Sequence, residues 1–149
     1  MTSPNTDSAD ELKTDERMRH ILQNSRAIAV VGHSDRPNRA SYQVAHFLRT
    51  VGYTVIPVNP LLSTIDGVPC YGSLRDIPTP IDIVNVFRRS EHLAEIVDEA
   101  IALHIPTVWA QLGVSDAQAQ QAAQEAGLNV IMDRCIKIEH IRLGIAPPE

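Results

Sequence analysis

The sequence predicts a single α/β domain, a Rossmann-like five-stranded parallel sheet with helices on both faces. Three observations carry that expectation. Short Val/Ile-rich runs recur along the chain and are mostly uninterrupted rather than alternating, as suits strands covered on both sides. Amphipathic helical stretches separate them, and strand–helix alternation implies parallel pairing through crossovers. The first run, Ala27-Ile28-Ala29-Val30-Val31, ends at Gly32 in a polar, arginine-bearing loop that leads into a helix.

The elements follow in order. Met1 to Asp10 reads as disordered, and residues 1–16 as a disordered or loosely attached segment ahead of a domain over 17–145. Glu11–Asn24, with Leu12, Met18, Ile21 and Leu22, reads as a helix leading into the fold, whose apolar face is a possible homodimer contact. Strands are expected at Arg26–Val31, Thr54–Val58, Ile81–Val86, Thr107–Ala110 and Asn129–Met132. The helix after the first strand, Ala40–Val51, places Val44, Phe47, Leu48 and Val51 at i, i+3, i+4 and i+7. A helix starting at Ser90 aligns Leu93, Ile96, Val97, Ala100 and Ile101. A third opens with a capping-box pattern in which Ser115 and Gln118 satisfy each other's backbone donors. It shows an inner face of Ala119, Ala122, Ala123 and Ala126, and stops at Gly127. Cys135–Leu143 forms the last helix. The proline- and glycine-rich connection Asn59–Pro80 is expected to carry a small turn or edge segment rather than a helix. With right-handed crossovers, the expected strand order is 3-2-1-4-5.

Composition narrows the function classes. The chain has 149 residues, 44% of them apolar and 21% charged, with a net charge of −5. That acidity argues against general nucleic-acid or membrane-surface binding. The polar N-terminus does not read as a secretory signal. Cys70 and Cys135 form no CxxC pair, and a reducing cytoplasm is the simplest location.

In such a sheet, ligands bind beyond the carboxyl ends of the strands, near the reversal of strand order. The residues expected there are Gly32, His33, Ser34, Asp35, Arg36, Arg39 and Ser41 after the first strand, and Asn59 and Pro60 after the second. Phe87, Arg88, Arg89 and Ser90 follow the third, Gln111, Leu112 and Gly113 the fourth, and Asp133, Arg134 and Cys135 the fifth. Arg36, Arg39, Arg88 and Arg89 are thus expected to converge on the mouth of an acidic protein. Guanidinium forks suit phosphate oxygens, and a free helix N-terminus attracts them as well. The dinucleotide fingerprint G-x-G-x-x-G is not present. Asn59, rather than an acid, ends the second strand, which leans away from NAD toward a phosphorylated adenosine, NADP or coenzyme A. Spacing and composition leave those two open.

Several blocks resemble the stand-alone CoA-binding proteins related to the CoA-binding domain of the succinyl-CoA synthetase α subunit. They are Ile28–Ser34 with Pro37 and Arg39, Gly52–Pro60, Tyr71–Leu74, Asp82–Ser90, Trp109–Gly113, and Gly127–Leu128 through Met132–Ile136. The resemblance implies that Gly32, His33, Ser34 and Ser41 cradle the phosphates of coenzyme A, neutralised by Arg36 or Arg39. Asn59 and Pro60 would flank the adenosine end, and Phe87, Arg88 and Gln111 the pantetheine arm. His33 departs from the family, where a small residue is usual, and would crowd the pyrophosphate or add a donor to it.

In that synthetase subunit the catalytic histidine lies in a second domain, for which this chain is expected to have no room. Of six histidines, His20, His46, His92, His104 and His140 fall in or beside predicted helices, away from the loop cluster, and no HExxH or G-x-S-x-G is present. The sequence therefore reads as a non-catalytic carrier, sensor or regulatory module for CoA or acyl-CoA. An NAD(P)-binding redox sensor and a subunit of an acyl-CoA ligase remain the alternatives. Cys135 is either a thiol activated by Arg134 and a helix N-terminus or a buried apolar residue.

Overall fold

The computed structural model describes residues 4–146. Five parallel strands form the sheet: β1 (Ala27–Val31), β2 (Thr54–Val58), β5 (Ile83–Val86), β6 (Thr107–Ala110) and β7 (Asn129–Ile131). A two-stranded antiparallel hairpin, β3 (Thr64–Ile65) with β4 (Val68–Pro69), lies between β2 and β5. Five α-helices complete the fold: α1 (Pro4–Asn24), α2 (Ala40–Thr50), α3 (Leu93–Ala102), α4 (Ala117–Glu125) and α5 (Ile136–Arg142).

Side-chain alternation along the strands builds two cores. Ile28, Val30, Val55, Ile83, Trp109 and Ile131 face α1, α2 and α5. Ala29, Val31, Ile56, Val58, Val84, Val86 and Val108 face α3, α4 and Leu74 of a 3-10 turn at Leu74–Asp76. Because successive residues of a strand point to opposite faces, a run with no polar interruption is what a doubly covered sheet requires.

The strand order differs from the expected one. Counted within the sheet it is 2-1-3-4-5, with β2 at the edge and β5 beside β1. The fragment before β5 reaches the outer edge of β2 only as a one-residue bridge, Tyr71 to Val58. Pro57 explains why: Tyr71 N–H donates to the Pro57 carbonyl, so the missing proline N–H faces the same edge and cannot support a full ladder there. The chain instead crosses the face opposite α2, packing Tyr71, Leu74 and Ile77 onto the α3/α4 side. The switch point therefore falls between β1 and β5.

Smaller differences have local causes. Helix α1 begins at Pro4 rather than Glu11, so Pro4–Asp10, expected to be disordered, is helical, while Met1–Ser3 lie outside the described residues. Met18, Ile21 and Leu22 are buried, whereas Leu12 is exposed. The cap of α4 is Asp116, not Ser115: its carboxylate accepts from the N–H groups of Gln118 and Ala119, while Ser115 N–H donates to Ser90 Oγ. Ala119 and Ala123 form the inner face of α4, with Ala122 half-buried and Ala126 exposed. Gly127 takes the left-handed conformation expected of a stop, with φ +81°. No helix among the described residues is long and apolar enough to cross a membrane.

Candidate functional site

Beyond the carboxyl ends of β1 and β5 the backbone comes together closely. Gly32 leaves β1 with φ +86°, and a Cβ there would sit 2.5 Å from the Phe87 carbonyl oxygen. Only glycine fits both constraints. Each strand end is bonded to its neighbour: Gly32 N–H to Val58 O at 2.9 Å, Phe87 N–H to Val31 O at 2.8 Å, and Gln111 N–H to Val86 O at 3.2 Å.

From Gly32 the chain turns into α2. Ser34 N–H donates to Ser41 Oγ at 3.0 Å, and Arg36 N–H to Ser34 Oγ at 3.1 Å. Arg39 is the N-cap residue of α2, its backbone is extended, and its side chain caps nothing. The first turn of α2 carries no acid. The unpaired donors of this terminus open onto a cavity lined by Gly32, Ser34, Arg36, Arg39, Ala40, Ser41 and Phe87. Two guanidinium groups, two hydroxyls and a bare helix terminus are the kind of chemistry that suits an anion. Helix α4, capped by Asp116, offers no comparable opening.

A second cavity shares Gly32 and extends to the other side. Its floor is apolar, from Val31, Val58, Leu74 and Ile96, and its rim carries Pro60, Ser73, Arg88, His92, Glu95 and Glu99. Gly72, Ser73, His92, Glu95 and Glu99 join the wall although they lie outside the loops expected to form the site. The Tyr71–Leu74 block is the one signal in the sequence that pointed to this wall.

Four expected residues line neither cavity. His33 is fully buried, its Nδ1 2.8 Å from the Ser34 carbonyl and its ring edge-on to Tyr42. It neither crowds nor faces the anion cavity but supports the turn from behind, and burial holds its imidazole below the usual histidine range. Asn59 donates from Nδ2 to the His33 carbonyl and accepts Leu61 N–H on Oδ1, so its amide joins two loops. Arg89 is turned outward, 88% exposed and 3.9 Å from Glu91, so three of the four arginines line the cavities. Gln111 lines neither, and its buried Oε1 has no partner.

The later loops form a separate bonded group. Gly113 N–H donates to Asp133 Oδ1 at 2.7 Å and Ser90 Oγ donates to the Gly113 carbonyl at 3.3 Å. Arg134 lies 3.6 Å from Glu139, and its carbonyl accepts Trp109 Nε1–H. Cys135 is buried at the N-cap of α5, consistent with a packing role. Cys70 donates weakly to the Asn59 carbonyl, and burial raises its thiol pKa. The raised pKa of Cys70 is the opposite of what an activated nucleophile needs. Among the described residues no group of three His, Cys, Asp or Glu side chains could hold a metal.

Comparison with known proteins shows what the chain resembles. The sequence profile described as "CoA binding domain" matches residues 26–141. The chain is 48% identical over 123 residues to the "Uncharacterized protein YneT" of Bacillus subtilis, covering 83% of this chain and 91% of the relative. It is 24% identical over 121 residues to "Acetate--CoA ligase [ADP-forming] I" of Archaeoglobus fulgidus, covering 74% of this chain but 18% of that ligase. Among solved structures, a hypothetical protein from Pyrococcus horikoshii OT3 superposes with a TM-score of 0.84 at 39% identity, over 87% of this chain and 91% of that one.

Proposed function

The chain belongs to the CoA-binding domain family, and from that premise we propose that it binds coenzyme A or an acyl-CoA at the β1–β5 switch point as a non-catalytic carrier, sensor or regulatory module. The observation that carries the reading is the uncapped N-terminus of α2, opening between Arg36 and Arg39 onto a cavity whose floor tolerates only glycine. Coenzyme A supplies the matching chemistry, a diphosphate for the helix terminus and a base for the adjoining slot beside Pro60. Ser34 and Ser41, already bonded to each other, hold the turn in shape before the ligand arrives, which lowers the ordering cost of binding. Phe87 and Arg88, at the boundary of the two cavities, border the path of the pantetheine arm. The two free cysteines fit a reducing, cytoplasmic setting.

Calorimetric titration with CoA, acetyl-CoA, NADP and NAD tests the reading. CoA or acetyl-CoA should bind more tightly than either nicotinamide dinucleotide, and the reverse order would overturn it. The match to an ADP-forming ligase favours a second reading, a subunit that acts with a catalytic partner. Affinity purification of the tagged chain from its own cells would then recover a ligase-like protein in constant proportion.

A further inference from the structure

The two cavities that meet at Gly32 have opposite electrostatic character. One side holds Arg36 and Arg39 with no acid among its lining residues. The other holds two carboxylates one helical turn apart on α3, Glu95 and Glu99, over an apolar floor, with Arg88 and His92 also on its rim. Arg88 stands at the boundary, its Cδ 3.3 Å from where a Gly32 Cβ would be.

The two glutamates are not equivalent. Glu99 is committed to the fold: its Oε1 accepts the Leu74 N–H at 2.9 Å, and its Oε2 lies 3.7 Å from Arg75. Glu95 is exposed at the rim of the cavity and makes no hydrogen bond or ion pair among the described residues, so its carboxylate is free to meet a ligand there. An uncommitted carboxylate is an acceptor only. Beside an apolar slot it repels a second anionic group and rewards a flat group that carries N–H donors. The slot has a volume of about 160 Å³, room for roughly five water molecules at liquid density. It therefore suits one ring system rather than a whole ligand.

We propose that Glu95 is a specificity-determining residue that reads the exocyclic amine of an aminopurine base, while Arg36 and Arg39 hold the phosphates on the other side of Gly32. The inference rests on the CoA-binding reading and deepens it: the ligand lies with its base toward α3 and its diphosphate toward α2. Glu95 accepts from the base amino group, and the apolar floor of Val58, Leu74 and Ile96 covers the ring face. A base with a carbonyl oxygen in place of the amine would set an acceptor against the carboxylate at that position and leave it only the neighbouring ring N1–H, reachable by a shift of the base.

Titration of the purified protein with CoA and with its deaminated analogue, in which hypoxanthine replaces adenine, provides the test. The unmodified protein should favour CoA roughly tenfold, the scale of one hydrogen bond to a charged group. In Glu95→Gln that preference should vanish, because a carboxamide both donates and accepts, and the melting temperature should fall only slightly, by the loss of the acid in the first turn of α3. Equal binding of the two ligands by the unmodified protein, or an unchanged preference in Glu95→Gln, overturns the proposal while leaving CoA binding in place. Absence of CoA binding to the unmodified protein overturns the underlying reading and this inference together.

Discussion

Asn59 Nδ2 donates to the His33 carbonyl at 3.0 Å, tying the loop after β2 to the turn after β1. The same amide accepts Leu61 N–H at 2.9 Å. One side chain thus sets the width of the cleft on the β2 side. Asn59→Ala leaves both backbone groups without that partner and is expected to lower stability by about 1 kcal/mol. Urea denaturation would read this as a lower midpoint at unchanged slope, and CoA affinity should fall with it. An unaltered midpoint and affinity would show that the tie has no consequence.

Gly32→Ala is expected to be severe. Its Cβ would meet the Phe87 carbonyl at 2.5 Å in a backbone conformation unfavourable for alanine, so β1 and β5 must separate locally. The strain alone costs about 1–3 kcal/mol. Thermal melts should show the loss, and titration should show CoA binding abolished even where the far-ultraviolet spectrum is retained.

Arg39 and Arg89 should behave differently although both were expected at the site. Arg39→Ala removes a guanidinium from the anion cavity and should weaken CoA binding roughly tenfold, with a shallower salt dependence. Arg89 points to solvent beside Glu91, so Arg89→Ala should leave affinity unchanged. Equal effects would place the phosphates elsewhere.

Stability should fall on mild acidification. His33 and His140 are both buried, and desolvation lowers the pKa of each from the usual value near 6.5. The unfolded chain then binds more protons than the folded one as pH drops below about 6.5. Stability attributable to these two is complete above that pH and declines as pH falls toward their lowered native values. Denaturation midpoints at pH 7.5 and 5.5 check the sign, and a higher midpoint at 5.5 would contradict it.

Asp116→Ala should cost about 1 kcal/mol, the scale of a lost N-cap, because the Asp116 carboxylate serves two N–H groups at the start of α4. Ser115→Ala should cost less, since only the Ser115 backbone enters the hydrogen bond with Ser90.

Much of the molecule was legible from residue order. The five strands, the helices after them and the glycine turn follow from periodicity and from one residue type that tolerates positive φ, both local properties. The cavity at the start of α2 was legible for the same reason, since most of its lining, Gly32 to Ser41, is one continuous segment. The wall of the second cavity was not. His92, Glu95 and Glu99 read as ordinary helix-surface residues, and only the packing of α3 against the 3-10 turn at Leu74 makes them part of a slot.

The strands of the sheet, its two-faced burial and the position of the glycine turn follow from residue order, because each depends on neighbours along the chain. Only the packing of the whole chain puts β5 beside β1, buries His33, turns Arg89 out to solvent and brings Glu95 and Gly32 to the lining of one cavity. Those outcomes depend on which sheet face the β2–β5 connection crosses and on which way each side chain leaves the backbone. Pro57 carried part of that information, since a strand with a missing donor on one side belongs at an edge. Its meaning became readable only once Tyr71 was seen making a single bridge there.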